Sequence, residues 1–177
     1  MLFRSSISGS TTVNSGGTLG GSGGTTGAVT VALGGTFAPG GSIGTLNTGA
    51  LAFSNGAFDL EINTTAITSD LANVTGNLSL LGGATLNISD FNVSSTPLSI
   101  GQVFTFIDYS GMWDAGVFAG YADDSQFTLG LNDYRISYNG VDNATSAVTL
   151  EVVPEPGSAV RLLGGIAALA GFRRRRA

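Results

Sequence analysis

Along this chain short apolar runs alternate with small polar residues, and no stretch sustains the 3.6-residue period of a capped amphipathic helix. Runs rich in Val, Leu, Ile, Phe and Thr, each about one strand long, are cut off by Gly, Asn, Ser and Asp, which favour turns. This pattern predicts strands over Ala28–Ala32, Ala50–Ser54, Phe58–Ile62, Asn77–Leu81, Thr85–Ile88, Val103–Asp108, Gln126–Leu131, Tyr134–Tyr138 and Ala147–Val152. The fold class expected is therefore all-β.

The runs repeat. Thr12-Val13-Asn14-Ser15-Gly16-Gly17-Thr18-Leu19 is matched by Thr30-Val31-Ala32-Leu33-Gly34-Gly35-Thr36-Phe37 and again by Ser79-Leu80-Leu81-Gly82-Gly83-Ala84-Thr85-Leu86, with Ala52 to Phe58 as a looser copy. Registered on Gly16, Gly34, Gly56 and Gly83, the copies stand 18, 22 and 27 residues apart. Such a period suits one turn of a β-solenoid, in which inward apolar side chains stack from turn to turn and Gly supplies corners with positive φ. A β-sandwich or jelly roll uses similar Gly-Gly and Asn-Gly turns and stands as the alternative.

From Gly101 onward the pattern changes. Phe104, Phe106, Tyr109, Trp113, Phe118, Tyr121, Phe127, Tyr134 and Tyr138 gather in one stretch, which reads as a C-terminal cap covering the last apolar turn. The same rings on an exposed face would make a sugar-binding platform; core packing is the expectation. The chain thus divides into solenoid repeats over 1–100, a cap of the same domain over 101–152 and a tail over 153–177.

The tail has three parts in order: Pro154-Glu155-Pro156, an apolar run from Ala159 to Phe172, and Arg173-Arg174-Arg175-Arg176. Two prolines flanking Glu155 hold an extended segment that joins neither helix nor sheet. Four arginines directly behind an apolar run read as a positive-inside membrane stop. Together the parts describe a sorting signal. Arg161 leaves Leu162–Phe172 as the uninterrupted stretch, shorter than the roughly 20 residues of a simple span, so a thin span with Arg161 snorkelling to the interface is expected. Met1 to Gly9 holds no apolar core of secretory type, and the expectation is that an export signal and earlier turns lie upstream of Met1.

Composition narrows the chemistry. The chain has no His, Cys or Lys, which removes the usual proton shuttle, the thiol nucleophiles and imidazole or thiolate metal sites, and no cofactor is called for. Residues 1–153 carry net −9 and residues 154–177 net +4. So acidic a body repels phosphate backbones, which argues against nucleic acid as a partner.

Residues 17–60, from Gly17-Thr18-Leu19-Gly20-Gly21-Ser22-Gly23 through Gly35-Thr36-Phe37-Ala38-Pro39-Gly40-Gly41-Ser42-Ile43-Gly44-Thr45-Leu46, resemble the autotransporter-associated β-strand repeat. That resemblance implies a right-handed parallel β-helix. Residues 153–177 resemble the PEP-CTERM sorting signal, read by exosortase, a membrane-embedded cysteine transpeptidase of Gram-negative bacteria. It implies export, a pause in the membrane, cleavage near Pro154-Glu155-Pro156 with transient exosortase contact, and release or attachment at the surface.

Asp123-Asp124 is the adjacent acidic pair, and Asp108, Asp114, Asp133 and Asp142 share its half of the chain, which raises carbohydrate hydrolysis or calcium binding. Solvated turn residues are the expectation for them, and Arg135 is expected to pair with a nearby Asp. The sequons at Asn63, Asn73, Asn77, Asn87, Asn92 and Asn143 are expected to be unmodified in a bacterium. Glycines 20–24 precede no Lys and no helix start, so they read as corners and not as a phosphate loop. The leading expectation is a non-enzymatic exported surface or extracellular-matrix protein, structural or adhesive. Binding to extracellular polysaccharide, or a polysaccharide-acting enzyme on the same scaffold, is the alternative.

Overall fold

The computed structural model describes residues 6–142 and 145–155, and every regular element among them is a strand. These are β1 (Ser6–Ile7), β2 (Thr11–Val13), β3 (Thr18–Gly21), β4 (Thr25–Thr26), β5 (Val29–Ala32), β6 (Thr36–Pro39), β7 (Thr45–Thr48), β8 (Leu51–Ser54), β9 (Ala57–Asn63), β10 (Thr68–Ser69), β11 (Leu71–Val74), β12 (Leu78–Gly82), β13 (Thr85–Asp90), β14 (Val103–Tyr109), β15 (Gln126–Leu129), β16 (Asn132–Asp142) and β17 (Thr145–Val153). Each strand predicted from the apolar runs is present, with no end moved by more than four residues.

The strands form three sheets. One runs β1-β4-β7-β11-β14-β17-β16-β15, a second β12-β8-β5-β2, and a third β10-β9-β6-β3 with β13 also on β9. The chain visits the first, second and third sheets in that order four times, as β1-β2-β3, β4-β5-β6, β7-β8-β9 and β11-β12-β13. Every strand ladder between successive circuits is parallel, and among the described residues only the isolated bridges between circuits, Gly21 to Gly40 and Ala32 to Asn55, run antiparallel. β14 begins a fifth passage, continued by the parallel bridge of Trp113 to Leu78 and by the Ala119 amide donating to the Ala84 carbonyl at 2.8 Å. A sandwich or jelly roll pairs its strands antiparallel, so the parallel pairing of the first hundred residues departs from that alternative.

Register stacks like positions on one another. Leu19, Phe37, Phe58 and Leu86 form an inward column, as do Val13, Val31 and Phe53, and Val29, Leu51 and Leu78; all are buried. Outward columns are polar: Asn47 and Asn73 stack on the first sheet, where the Asn73 amide Nδ2 donates to Asn47 Oδ1 at 2.9 Å. The side-chain period of two along each strand sends alternate residues in and out, so one residue type per position recurs circuit after circuit. Where Thr26 and Thr48 point inward, their hydroxyls donate to the Gly27 and Gly49 carbonyls, so burial leaves no donor unpaired.

The corner between the second and third sheets differs from the expected register in one place. Gly16, Gly34 and Gly83 carry positive φ, but in the third circuit the left-handed residue is Asn55 (φ 58°), not Gly56. Corner positions 16, 34, 55 and 83 are thus 18, 21 and 28 residues apart. Asn tolerates the left-handed region better than other side chains do, because its short amide bonds locally. Gly56 instead aligns with Gly35, where the preceding circuit passes so close that an added Cβ would stand 2.3 Å from the Val13 carbonyl oxygen at Gly35 and 2.7 Å from that of Val31 at Gly56. Two adjacent glycines therefore serve two needs, conformation at the first and space at the second. Of the glycines expected to be corners, Gly20 and Gly21 lie inside β3, and Gly23 (φ 74°) turns the chain.

From β15 onward the pairing is antiparallel. β15, β16 and β17 form a meander whose last strand pairs with β14, adding three strands to the end of the first sheet. Phe104, Phe106, Tyr109, Phe118, Tyr134 and Tyr138 are buried, and Trp113, Tyr121 and Phe127 pack against them half-buried. Phe58 sits between the two regions, with ring centroids 5.6 Å from Phe37, 5.8 Å from Phe106 and 6.1 Å from Phe118. Such tilted and edge-on pairs each add roughly 0.5–1.5 kcal/mol beyond area burial.

Candidate functional site

The Pro154-Glu155 segment begins where the sheet ends. Val153 is the last residue of β17 and pairs with Asp133, and the strand is pinned by the Val152 amide donating to the Gln102 carbonyl and the Gly101 amide donating to the Val152 carbonyl, both at 2.8 Å. Pro154 has no amide hydrogen to extend that ladder, so pairing stops there. Pro154 and Glu155 are exposed and line an open hollow of about 220 Å3 with Ile100, Leu131 and Pro97. Pro156 and Arg173, Arg174, Arg175 and Arg176 lie outside the described residues, as do Arg161 and Met1 to Ser5.

A second feature is a groove of about 490 Å3 on the outer face of the third sheet, lined by Pro39, Gly40, Asp59, Glu61, Asp70 and Asn87 among others. Asp59 and Glu61 reach it because Phe58, Leu60 and Ile62 of β9 point inward, which turns the intervening carboxylates outward. The Asn87 amide donates to Asp59 at 2.7 Å. Asp70 is only 1% exposed, and its two oxygens accept from the Gly44 amide at 2.9 Å and the Glu61 amide at 3.0 Å. Burial pushes its carboxyl up to about 7, the two amides oppose that shift, and the charge of Glu61 adds to it. Asp70 ties the loop at Gly40–Gly44 to β9 and is a structural clasp in the groove wall.

The acidic residues singled out by position that are described lie apart, on separate turns and strands. Asp123 and Asp124 are exposed turn residues, Asp123 accepting from the Tyr138 amide at 3.1 Å and Asp124 taking a left-handed φ of 59°. Asp133 accepts from the Thr128 hydroxyl on the β15–β16 hairpin, and Asp108 stands on β14. Asp114 ends the second sheet, accepting from the Ser79 hydroxyl and from the amides of Leu80, Leu81 and Gly116. Burial works against its ionisation, but those four donors outweigh it and hold the carboxyl below its ordinary value. Among the described residues no three acidic groups are placed to hold a metal ion.

Arg135 pairs with Glu151, the residue directly opposite it on β17, and not with an Asp as expected. The reason is register: cross-strand partners face each other, whereas Asp133 lies on the same strand. The rings proposed as a sugar platform do not make one, since Trp113 stacks on buried Tyr138 at 5.5 Å and its indole nitrogen donates to the Gly116 carbonyl. The groove of Asp59, Glu61 and Asp70 was not anticipated. The alternation over Phe58 to Ile62 would have placed Asp59 and Glu61 on one face, but nothing local marks Asp70, whose partner Gly44 is 26 residues away.

No protein-family model matches this chain, and no curated protein matches it.

Proposed function

We propose that this chain is a non-enzymatic exported surface or extracellular-matrix protein, a right-handed parallel β-helix of structural or adhesive role, sorted through its C-terminal tail by a membrane-embedded exosortase in a Gram-negative envelope. Four circuits through the same three parallel sheets support the helix reading, and parallel crossovers take the right hand as a rule. The observation that carries the role is where the chemistry-bearing groups are spent. Asp114 and Asp70 hold backbone amides and the large rings are packed inward, so what the body presents is mainly outward Thr, Asn and Ser, with Asp59 and Glu61 on the third sheet. The tag supports the sorting part, because Pro154 and Glu155 are exposed at the last paired residue of the body.

The test is fractionation of a Gram-negative host that carries an exosortase and secretes the full chain behind an export signal. The wild-type chain leaves the membrane fraction for the surface or medium, whereas a variant with Pro154→Ala, Glu155→Ala and Pro156→Ala stays membrane-bound. Equal release of the two would overturn the sorting role. A second reading, action on or binding of extracellular polysaccharide, is favoured by one observation, the grouping of Asp59, Glu61 and Asp70 along a single groove. New reducing ends from a polysaccharide panel, lost on Asp59→Asn with Glu61→Gln, would establish it in place of the first.

A further inference from the structure

Two large apolar side chains stand in water at the place where the chain leaves the body. Ile100 is 68% exposed and Leu131 53%, and both line the hollow that Pro154 and Glu155 border. They come from separate parts of the chain, the loop before β14 and the turn between β15 and β16, so the fold assembles the patch. The charged residues lining this hollow and the adjoining one are Asp133 and Glu155, both acidic.

The tether decides what this patch meets. From Glu155 to Ala159, where the apolar run starts, is four residues, and a fully extended chain covers at most about 14 Å in that length. If the run enters a membrane, as the proposed function holds, Glu155 is held within that distance of the lipid headgroups, and Ile100 and Leu131, which line the same hollow, are carried towards them with it. Apolar side chains held there gain by leaving water, while Asp133 and Glu155 disfavour an anionic surface.

We infer that this end of the body is a membrane-resting face, on which Ile100 and Leu131 enter the interface of a zwitterionic bilayer while the tail is anchored. The inference rests on the membrane reading of the tail. Its effect is to hold the tag flat at the headgroup level instead of on a free swivel.

The chain has no cysteine, so a single one introduced at Leu131 or Ile100 takes an environment-sensitive fluorophore uniquely. Ser10→Cys, exposed in the first circuit at the far end of the stack, is the reference. The full chain is reconstituted with phosphatidylcholine vesicles and recovered by flotation, then read with and without nitroxide-labelled lipid. The expected result is blue-shifted, lipid-quenched emission at 131 and at 100 and unchanged emission at 10. Ile100 lies outside every strand, so its label reports even if Leu131→Cys perturbs the hairpin. A chain that floats while both labels stay as water-exposed as residue 10 overturns the inference, leaves the tail's membrane reading standing, and leaves the patch to a protein that reads the tag. A chain that does not float overturns both.

Discussion

The four parallel circuits and the antiparallel cap solve the same problem, burying one apolar face per strand, with different materials. In the circuits inward side chains stack on counterparts in the neighbouring circuits, so Leu19, Phe37, Phe58 and Leu86 fill one column and backbone amides pair with the next circuit. The buried polar side chains there, Thr26, Thr48 and Asp70 among them, bond to main chain. The cap has no repeat to lean on. It buries rings with polar ends, and two of these ends have partners of their own: the Tyr109 hydroxyl donates to the Tyr138 carbonyl at 2.8 Å, and the Tyr138 hydroxyl accepts from the Phe118 amide at 3.0 Å and donates to the Tyr121 carbonyl at 2.8 Å. Repetition makes the first region tolerant in chemistry but strict in space; the second region is the reverse.

The largest effect is expected where the two regions meet. Phe58 is fully buried and touches rings on both sides, Phe37 and Phe53 in the circuits, Phe106 and Phe118 in the cap. Phe58→Ala is expected to cost about 3–5 kcal/mol in urea unfolding, through lost burial and the cavity left behind. A loss under about 1 kcal/mol, or a second transition already present in the wild type, would mean that circuits and cap do not share a core.

Tyr138→Phe probes the cap alone. The substitution keeps the ring against Trp113 and Phe118 but leaves the Phe118 amide and Tyr121 carbonyl without their partner. An unpaired buried group costs about 1–3 kcal/mol, and the same fall is expected here by the same measurement. A neutral result would show that water replaces the hydroxyl and that the cap is looser than its hydrogen bonds imply.

This contrast explains what was legible beforehand. The runs with two or more large apolar residues, such as Phe58–Ile62 and Val103–Asp108, read directly as strands because burial on alternate positions leaves a visible pattern. β3, β6 and β7 hold Thr-Leu-Gly-Gly, Thr-Phe-Ala-Pro and Thr-Leu-Asn-Thr, with one large apolar residue each, and their strand state comes from neighbouring circuits more than from their own residues. The corner at Asn55 was misplaced by one residue because glycine pairs mark conformation and space alike. Pro154 and Glu155 are exposed, and the patch around them joins positions 100, 131 and 154 and has no linear signature.

The two regions also differ in the sign of their response to pH. Asp70, in the circuits, has a folded carboxyl at about 7 against an ordinary 3.8, so the folded form holds the proton more tightly than the unfolded one. Its contribution is therefore full below about pH 4 and is lost as pH rises through about 7. Asp114, at the cap junction, is held below 3.8, so its contribution is present above that value and is lost as pH falls through the folded pKa. Asp70→Asn is expected to flatten Tm between pH 4 and 7, and Asp114→Asn to flatten the acid limb below pH 4, each by roughly 2–4 °C. Melting curves followed by circular dichroism from pH 2.5 to 8 check both. If both variants flatten the same limb, the division of roles between the two carboxylates is wrong.

The smallest effect is expected from the cap's outer face. Arg135 is the one cation among the described residues, and it faces Glu151 across the β16–β17 pair with side chains 42% and 34% exposed. Exposure on that scale leaves the ion pair screened by water, and a cross-strand pair of this kind contributes about 0.2–1 kcal/mol. A double-mutant cycle with Arg135→Gln and Glu151→Gln is expected to return a coupling in that range, shrinking further in 1 M salt. A coupling above about 2 kcal/mol that survives salt would place the pair among the buried elements of the cap. The outer face of β16 and β17 would then be covered in solution, and the contrast between a spatially strict stack and a chemically strict cap would extend to the surface of the molecule.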